Sequence, residues 1–119
     1  MQYHFTAPSI SKPTYETLEE HSRKAFHKIE RLLANDSTEP TLRISVNKDG
    51  DEFIVLAELH NNELIVSKAH DRDLRRAVDK TSHEMKTLLT KVKSRRMDHK
   101  ITEKIQNLRN KLLNRTYVE

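Results

Sequence analysis

The residues best suited to chemistry in this chain are basic. Between Lys86 and Lys100 lie Lys86, Lys91, Lys93, Arg95, Arg96 and Lys100, with His99 beside them and Asp98 as the only acid. Cations near a helix C-terminus are stabilised by the helix dipole by about 0.3–1 kcal/mol each, which accounts for two or three of them. Six with a single acid repel one another, whereas a merely solvated face is better served by mixed signs. Basic residues clustered along one helix are the electrostatic footprint of a polyanion, nucleic acid first among them. A second row, Lys24, Lys28 and Arg31, is spaced four and three apart and so lines one side of a helix. Two such rows on neighbouring helices suit the phosphate backbones of folded RNA, which is read by shape and 2′-OH contacts more than by base edges. Aromatics are only 5% of the chain, with Tyr15 and Phe26 the two in the first helix, so stacking on splayed bases is a minor term.

Other chemistries find less support. His83-Glu84 begins like the zinc-protease pattern H-E-x-x-H, but position 87 is Thr and the second ligand is missing. His21 and His27 are six apart and point to different sides of one helix, so the seven histidines read as solvated surface residues and no metal site is expected. One glycine cannot build a phosphate-cradling loop, and nothing places Ser82-His83 with an orienting group in one cleft. No catalytic residue, cofactor or small-molecule substrate is expected. Zero cysteines exclude disulfides and thiolate chemistry.

These side chains must be positioned by one domain, since 119 residues at 34% hydrophobic support a single core. Residues 1–71 carry a net charge of −4 and residues 72–119 a net charge of +8, so the basic footprint sits in the last two-fifths. No apolar run approaches the roughly 20 residues of a membrane span, and Met1 to Phe5 lack the features of a secretory signal. A cytoplasmic protein without membrane contact is the expectation.

Gln2 to Ala7 alternates as a strand does, with Tyr3 and Phe5 on one side. Pro8 and Pro13 are read as bracketing a non-helical connection, with Thr14 capping a helix that carries Leu18, Ala25, Ile29, Leu32 and Leu33. Three strands follow: Leu42 to Asn47, Phe53 to Leu59 and Leu64 to Ala69, separated by Asp49-Gly50 and Asn61-Asn62, where hairpins need a positive φ. The unbroken apolar run Phe53 to Leu56 marks the middle strand as central and partly covered on both faces. From Asp71 the period becomes helical, with Leu74, Val78, Thr81, Met85, Leu88 and Val92 forming one apolar stripe. The result is an α+β chain of order β-α-β-β-β-α, a two-layer sandwich in which a four-stranded sheet carries two helices on one face. Residues 1–100 form the RNA-binding domain, and 101–119, with Ile101, Ile105, Leu108 and Leu112, form a basic amphipathic helical extension.

Several segments together resemble the short-form bacterial ribosome hibernation factors, the hibernation promoting factor or ribosome-associated inhibitor family. Phe26-His27-Lys28-Ile29-Glu30 resembles the family's F-x-K-[LI]-E in the first helix. Asp73-Leu74 with Ala77-Val78-Asp79 resembles D-[LM]-Y-x-A-[IV]-D, and Leu89 to Arg95 resembles the basic ending L-x-K-x-K-x-[KR]. The resemblance implies a protein that binds 16S rRNA of the small ribosomal subunit in the mRNA channel near the decoding centre. There it overlaps the A- and P-site tRNA positions and keeps idle 70S ribosomes inactive in stationary or stressed cells. Carried over, Lys28, Lys91, Lys93 and Arg95 contact rRNA phosphates, while Lys24, Arg31, Lys86, Arg96 and Lys100 join them from charge geometry. Arg75 stands where the family usually has Tyr, which turns a packing contact into a phosphate contact, and Thr87 stands where a basic residue is common. Two alternatives remain open: a general double-stranded-RNA module, and a protein-interaction module using the helix from Ile101.

Overall fold

The computed structural model describes residues 1–36 and 38–94. The chain divides into two compact units, Met1–Leu88 and Leu89–Glu119.

In the first unit, β1 (Gln2–Thr6) leads into α1 (Lys12–Ala25) and α2 (His27–Leu32), followed by β2 (Thr41–Asp49), β3 (Glu52–Asn61) and β4 (Glu63–Asp71). A third helix, α3, begins at residue 74 and is helical through residue 94. The sheet order is β1-β2-β3-β4. Strands β2, β3 and β4 form the expected antiparallel meander, while β1 pairs with β2 in parallel. A parallel neighbour needs a crossover between its strands, and α1 with α2 provides it.

Gly50, at φ 62°, and Asn62, at φ 59°, turn the two hairpins, as the types of residue there require. Between them Leu42, Ile44 and Val46 of β2 stand opposite Leu59, Ala57 and Val55 of β3, all fully buried. Ile65 and Ser67 continue that face on β4. Leu18, Phe26, Ile29 and Leu33 from the first helical layer and Leu74, Ala77, Val78 and Met85 from α3 are buried as well. Each large apolar side chain so removed from water contributes about 1.5–3 kcal/mol. Both helical layers bury one apolar stripe, and the sheet has one apolar face to receive them. The opposite sheet face is open, with Leu64 and Val66 exposed among Arg43, Glu58 and Lys68.

Several local expectations are corrected. The first helix starts two residues before Thr14: Ser11 is its N-cap, and Pro13 lies inside the first turn. Proline is tolerated there because the first helical N–H groups have no intrahelical acceptor. The helix is also not continuous, since Phe26, at φ −90° and ψ 2°, separates α1 from α2. That break turns Phe26 wholly into the core and leaves Leu32 exposed rather than on the stripe. On α3, Leu89 is the buried residue at the position the periodicity gave to Leu88, which is only half-buried, as is Val92. The extension expected at 101–119 lies outside the described residues.

Candidate nucleic-acid interface

β1 and β4 both run parallel to β2, so the helices that follow each of them return across the sheet in the same direction. α1 and the N-terminal half of α3 meet where His21 Nε2 lies 2.8 Å from Asp79 Oδ1. One turn back from that contact stand Thr17 on α1 and Arg75 on α3, and these two do line one groove. Lys28 lies beyond the break at Phe26 on α2, and Lys86 lies further along α3. Of the cationic rows inferred from spacing, Lys24, Lys28, Arg31 and Lys86 lie on helices of the first unit.

The groove at the His21 level has a volume of about 370 Å³ and is lined by Thr17, Glu20, His21, Lys24 and Arg75. Its charge is mixed. Lys24 Nζ lies 3.3 Å from Glu20 Oε1 one turn away, and Asp79 faces His21. Lys24 is therefore partly neutralised by its own helix, which spacing alone left open. Among the described residues no ion pair engages Lys28, Arg31 or Arg75, and Arg31 and Arg75 are exposed while Lys28 is half-buried. Lys86 is exposed on α3.

In the second unit the described residues Leu89–Ser94 are helical, with Lys91 exposed and Lys93 half-buried. Arg95, Arg96 and Lys100 lie outside the described residues.

The two aspartates of the second motif have separate roles. Asp73 caps α3, its Oδ1 accepting the Arg75 N–H at 3.0 Å, while Asp71 Oδ1 accepts the Asp73 N–H at 2.8 Å. Lys80 Nζ donates to Asp71 at 2.8 Å, and this hydrogen bond is the main cause that holds the Asp71 carboxyl below the usual carboxylate range. Asp79 lies beyond the first turn and pairs with His21.

Two residues escaped the sequence reading. His21 is part-buried and partnered rather than solvated, with a side chain only 25% exposed. The one available signal was its place beside Leu18 on the flank of the apolar stripe. Arg23 lies on the other flank, its guanidinium carbon 4.9 Å from the Tyr3 ring centroid and 5.8 Å from that of Phe5, which are stacked 6.0 Å apart. No spacing rule reports a contact across that many residues. The Tyr3 hydroxyl donates to Glu30; burial first, then that hydrogen bond and the Glu30 charge, push its ionisation far above the ordinary tyrosine value. Phe26, one of the two aromatics weighed for stacking, is fully buried and unavailable to a base. Among the described residues no group of three or more His, Cys, Asp or Glu is placed to hold a metal ion, and no helix is long and apolar enough to cross a membrane.

Comparison with known proteins bears on this arrangement. No curated protein matches the chain. A ribosomal subunit interface protein from Coxiella burnetii has a similar structure, with a TM-score of 0.66 at 24% identity, covering 79% of this chain and 99% of that one. The N-terminal domain of Protein Y from Thermus thermophilus is also similar, with a TM-score of 0.64 at 12% identity, covering 77% of this chain and 99% of that one. At these identities the likeness is one of fold. The model of the family described as sigma 54 modulation protein / S30EA ribosomal protein matches residues 13–97. With that match spanning well over half its length, the chain belongs to this ribosome-associated family.

Proposed function

We propose that the protein is a hibernation factor that seats on the small ribosomal subunit near the decoding centre and mRNA channel. It silences translation there by excluding tRNA and mRNA. The observation that carries this reading is membership of a ribosome-associated family, supported by the cations Lys28 and Arg31 near α2 and Arg75 and Lys86 on α3. Cations on helices meet phosphates at the spacing of helical turns, and 16S rRNA on the subunit surface supplies phosphates in a fixed shape. Lys91, Lys93, Arg95, Arg96 and Lys100 follow in the chain and add to the same attraction. No reaction is needed: occupancy of the channel is the mechanism, and stress or stationary phase, when ribosomes idle in the cytoplasm, is where it acts.

Affinity of this origin comes mainly from counterion release. If six to eight cations engage phosphates, raising salt from about 50 to about 200 mM weakens binding by roughly 10³-fold or more. Co-sedimentation with purified small subunits across that range measures it. A flat series rejects the mechanism, and equal affinity for an arbitrary RNA duplex assigns the protein to general double-stranded-RNA binding instead.

A further inference from the structure

The α1/α3 groove carries a charge balance that neither cationic row explains. From α1 the charged neighbours of His21 are Glu20 and Lys24; from α3 they are Arg75 and Asp79. Lys28, beyond the break at Phe26 on α2, and Lys86, further along α3, do not line the groove. Lys24 and Arg75 line the groove with one carboxylate, Glu20, and Asp79 behind His21 supplies a second, so the four charges cancel while His21 is neutral and leave a positive charge when it is protonated. Histidine is the side chain whose charge ordinarily changes within the range of cellular pH.

We infer that this groove is a seat for one RNA phosphodiester, and that the protonation of His21 sets how strongly it is held. The inference rests on the ribosome-binding reading above and adds its regulation. The lining fits the ligand: Arg75 has no ion-pair partner among the described residues and carries a planar fork of donors, Thr17 offers a hydroxyl, and Lys24 has a single exposed carboxylate to exchange for phosphate. The volume of about 370 Å³ admits a phosphodiester and its flanking riboses. Asp79 supplies the opposition. Facing a neutral His21, its carboxylate repels an incoming phosphate across the groove; facing an imidazolium, it is neutralised by its own partner at 2.8 Å. Protonation thus turns Asp79 from a repulsive charge into half of an ion pair. By linkage, a bound phosphate favours the protonated ring in the same measure.

One added charge about 5 Å from a phosphate in a partly solvated groove changes affinity about 3- to 10-fold. The test is binding of the full chain to small ribosomal subunits at about pH 7.8 and about pH 6.2 at constant ionic strength. It compares the unchanged protein with His21→Gln, which keeps a hydrogen-bonding side chain without the charge, and with Asp79→Asn. The unchanged protein gains affinity on acidification by the factor above, and His21→Gln loses that gain. Asp79→Asn binds more tightly than the unchanged protein at the higher pH, because the opposing charge is gone. Circular dichroism of each variant establishes that it is folded. An identical pH response in His21→Gln, or no response in the unchanged protein, overturns the inference while salt-sensitive binding, lost in Lys91→Glu, leaves the ribosome reading intact. Failure of the unchanged protein to bind subunits at either pH overturns both.

Discussion

The hydroxyl of Tyr3, on the edge strand, donates a hydrogen bond to the carboxylate of Glu30 on α2, and so ties the first strand to the helical segment that carries Lys28 and Arg31. Burial and the neighbouring carboxylate favour the neutral phenol in the folded state, so the folded-state pKa lies above that of the unfolded chain. The sign follows directly: the stabilisation is fully present below the ordinary tyrosine value of 10.0 and is lost as pH rises from there toward the folded value. Tyr3→Phe is expected to lower stability by about 1–2 kcal/mol at neutral pH, through the lost hydrogen bond and the carboxylate left part-buried. Urea unfolding at neutral pH and again near pH 10.5 measures it; the variant should lose less stability between the two than the unchanged protein.

The contact of Lys80 with Asp71 gives the opposite dependence. Asp71 is held below its ordinary value first by the hydrogen bond from Lys80, then by the backbone N–H of Asp73. A lowered carboxylate contributes stability that is present above the unfolded value of 3.8 and is lost as pH falls through the folded one. Asp71→Asn is therefore expected to flatten the acid limb of the stability profile while changing little on the alkaline side. Thermal melts from about pH 2.5 to about pH 7 decide it.

Phe26 is both the break between α1 and α2 and a fully buried core residue. Phe26→Ala is expected to cost about 3–5 kcal/mol through the cavity it leaves, a large share of a small domain's stability. Phe26→Leu should recover most of that. If the alanine variant melts like the unchanged protein, the first helical layer is not packed as described.

Charge reversal at Lys91, Lys93 and Arg95, each to Glu, is expected to abolish subunit binding with the fold retained. Lys91 is exposed and Lys93 half-buried, and neither belongs to the buried stripe of α3. Three lost phosphate contacts flatten the logarithmic salt slope by about three units, while repulsion removes the remaining affinity. Full affinity in the triple variant would exclude these residues from the interface.

Much of the fold was legible because its signals are local. The alternation of Leu42, Ile44 and Val46, the only glycine at Gly50 and the helical period from Leu74 to Met85 each report a preference enforced within a few residues, and each element formed where they point. The boundaries were less legible. Pro13 is compatible with both a loop and a first helical turn, and the helix begins before it, with the Ser11 carbonyl accepting the Tyr15 N–H at 2.9 Å. At the break Phe26 keeps its hydrogen bonds to Ser22 O and from the Glu30 N–H, so the interruption is a local backbone adjustment that no residue preference along the chain reports.

The sequence by itself determined the element order, the two basic rows and the sign of the charge they present, since these depend on residue type and on fixed periods of 2 and 3.6. Only the tertiary structure decided how those rows are qualified. Pairing of His21 with Asp79 joins residues 58 positions apart, and placing Glu30 under Tyr3 joins residues 27 apart. Such contacts exist only once folding sets helix beside helix and strand beside helix, because a side chain's electrostatic partner is chosen by distance in space and not by distance along the chain.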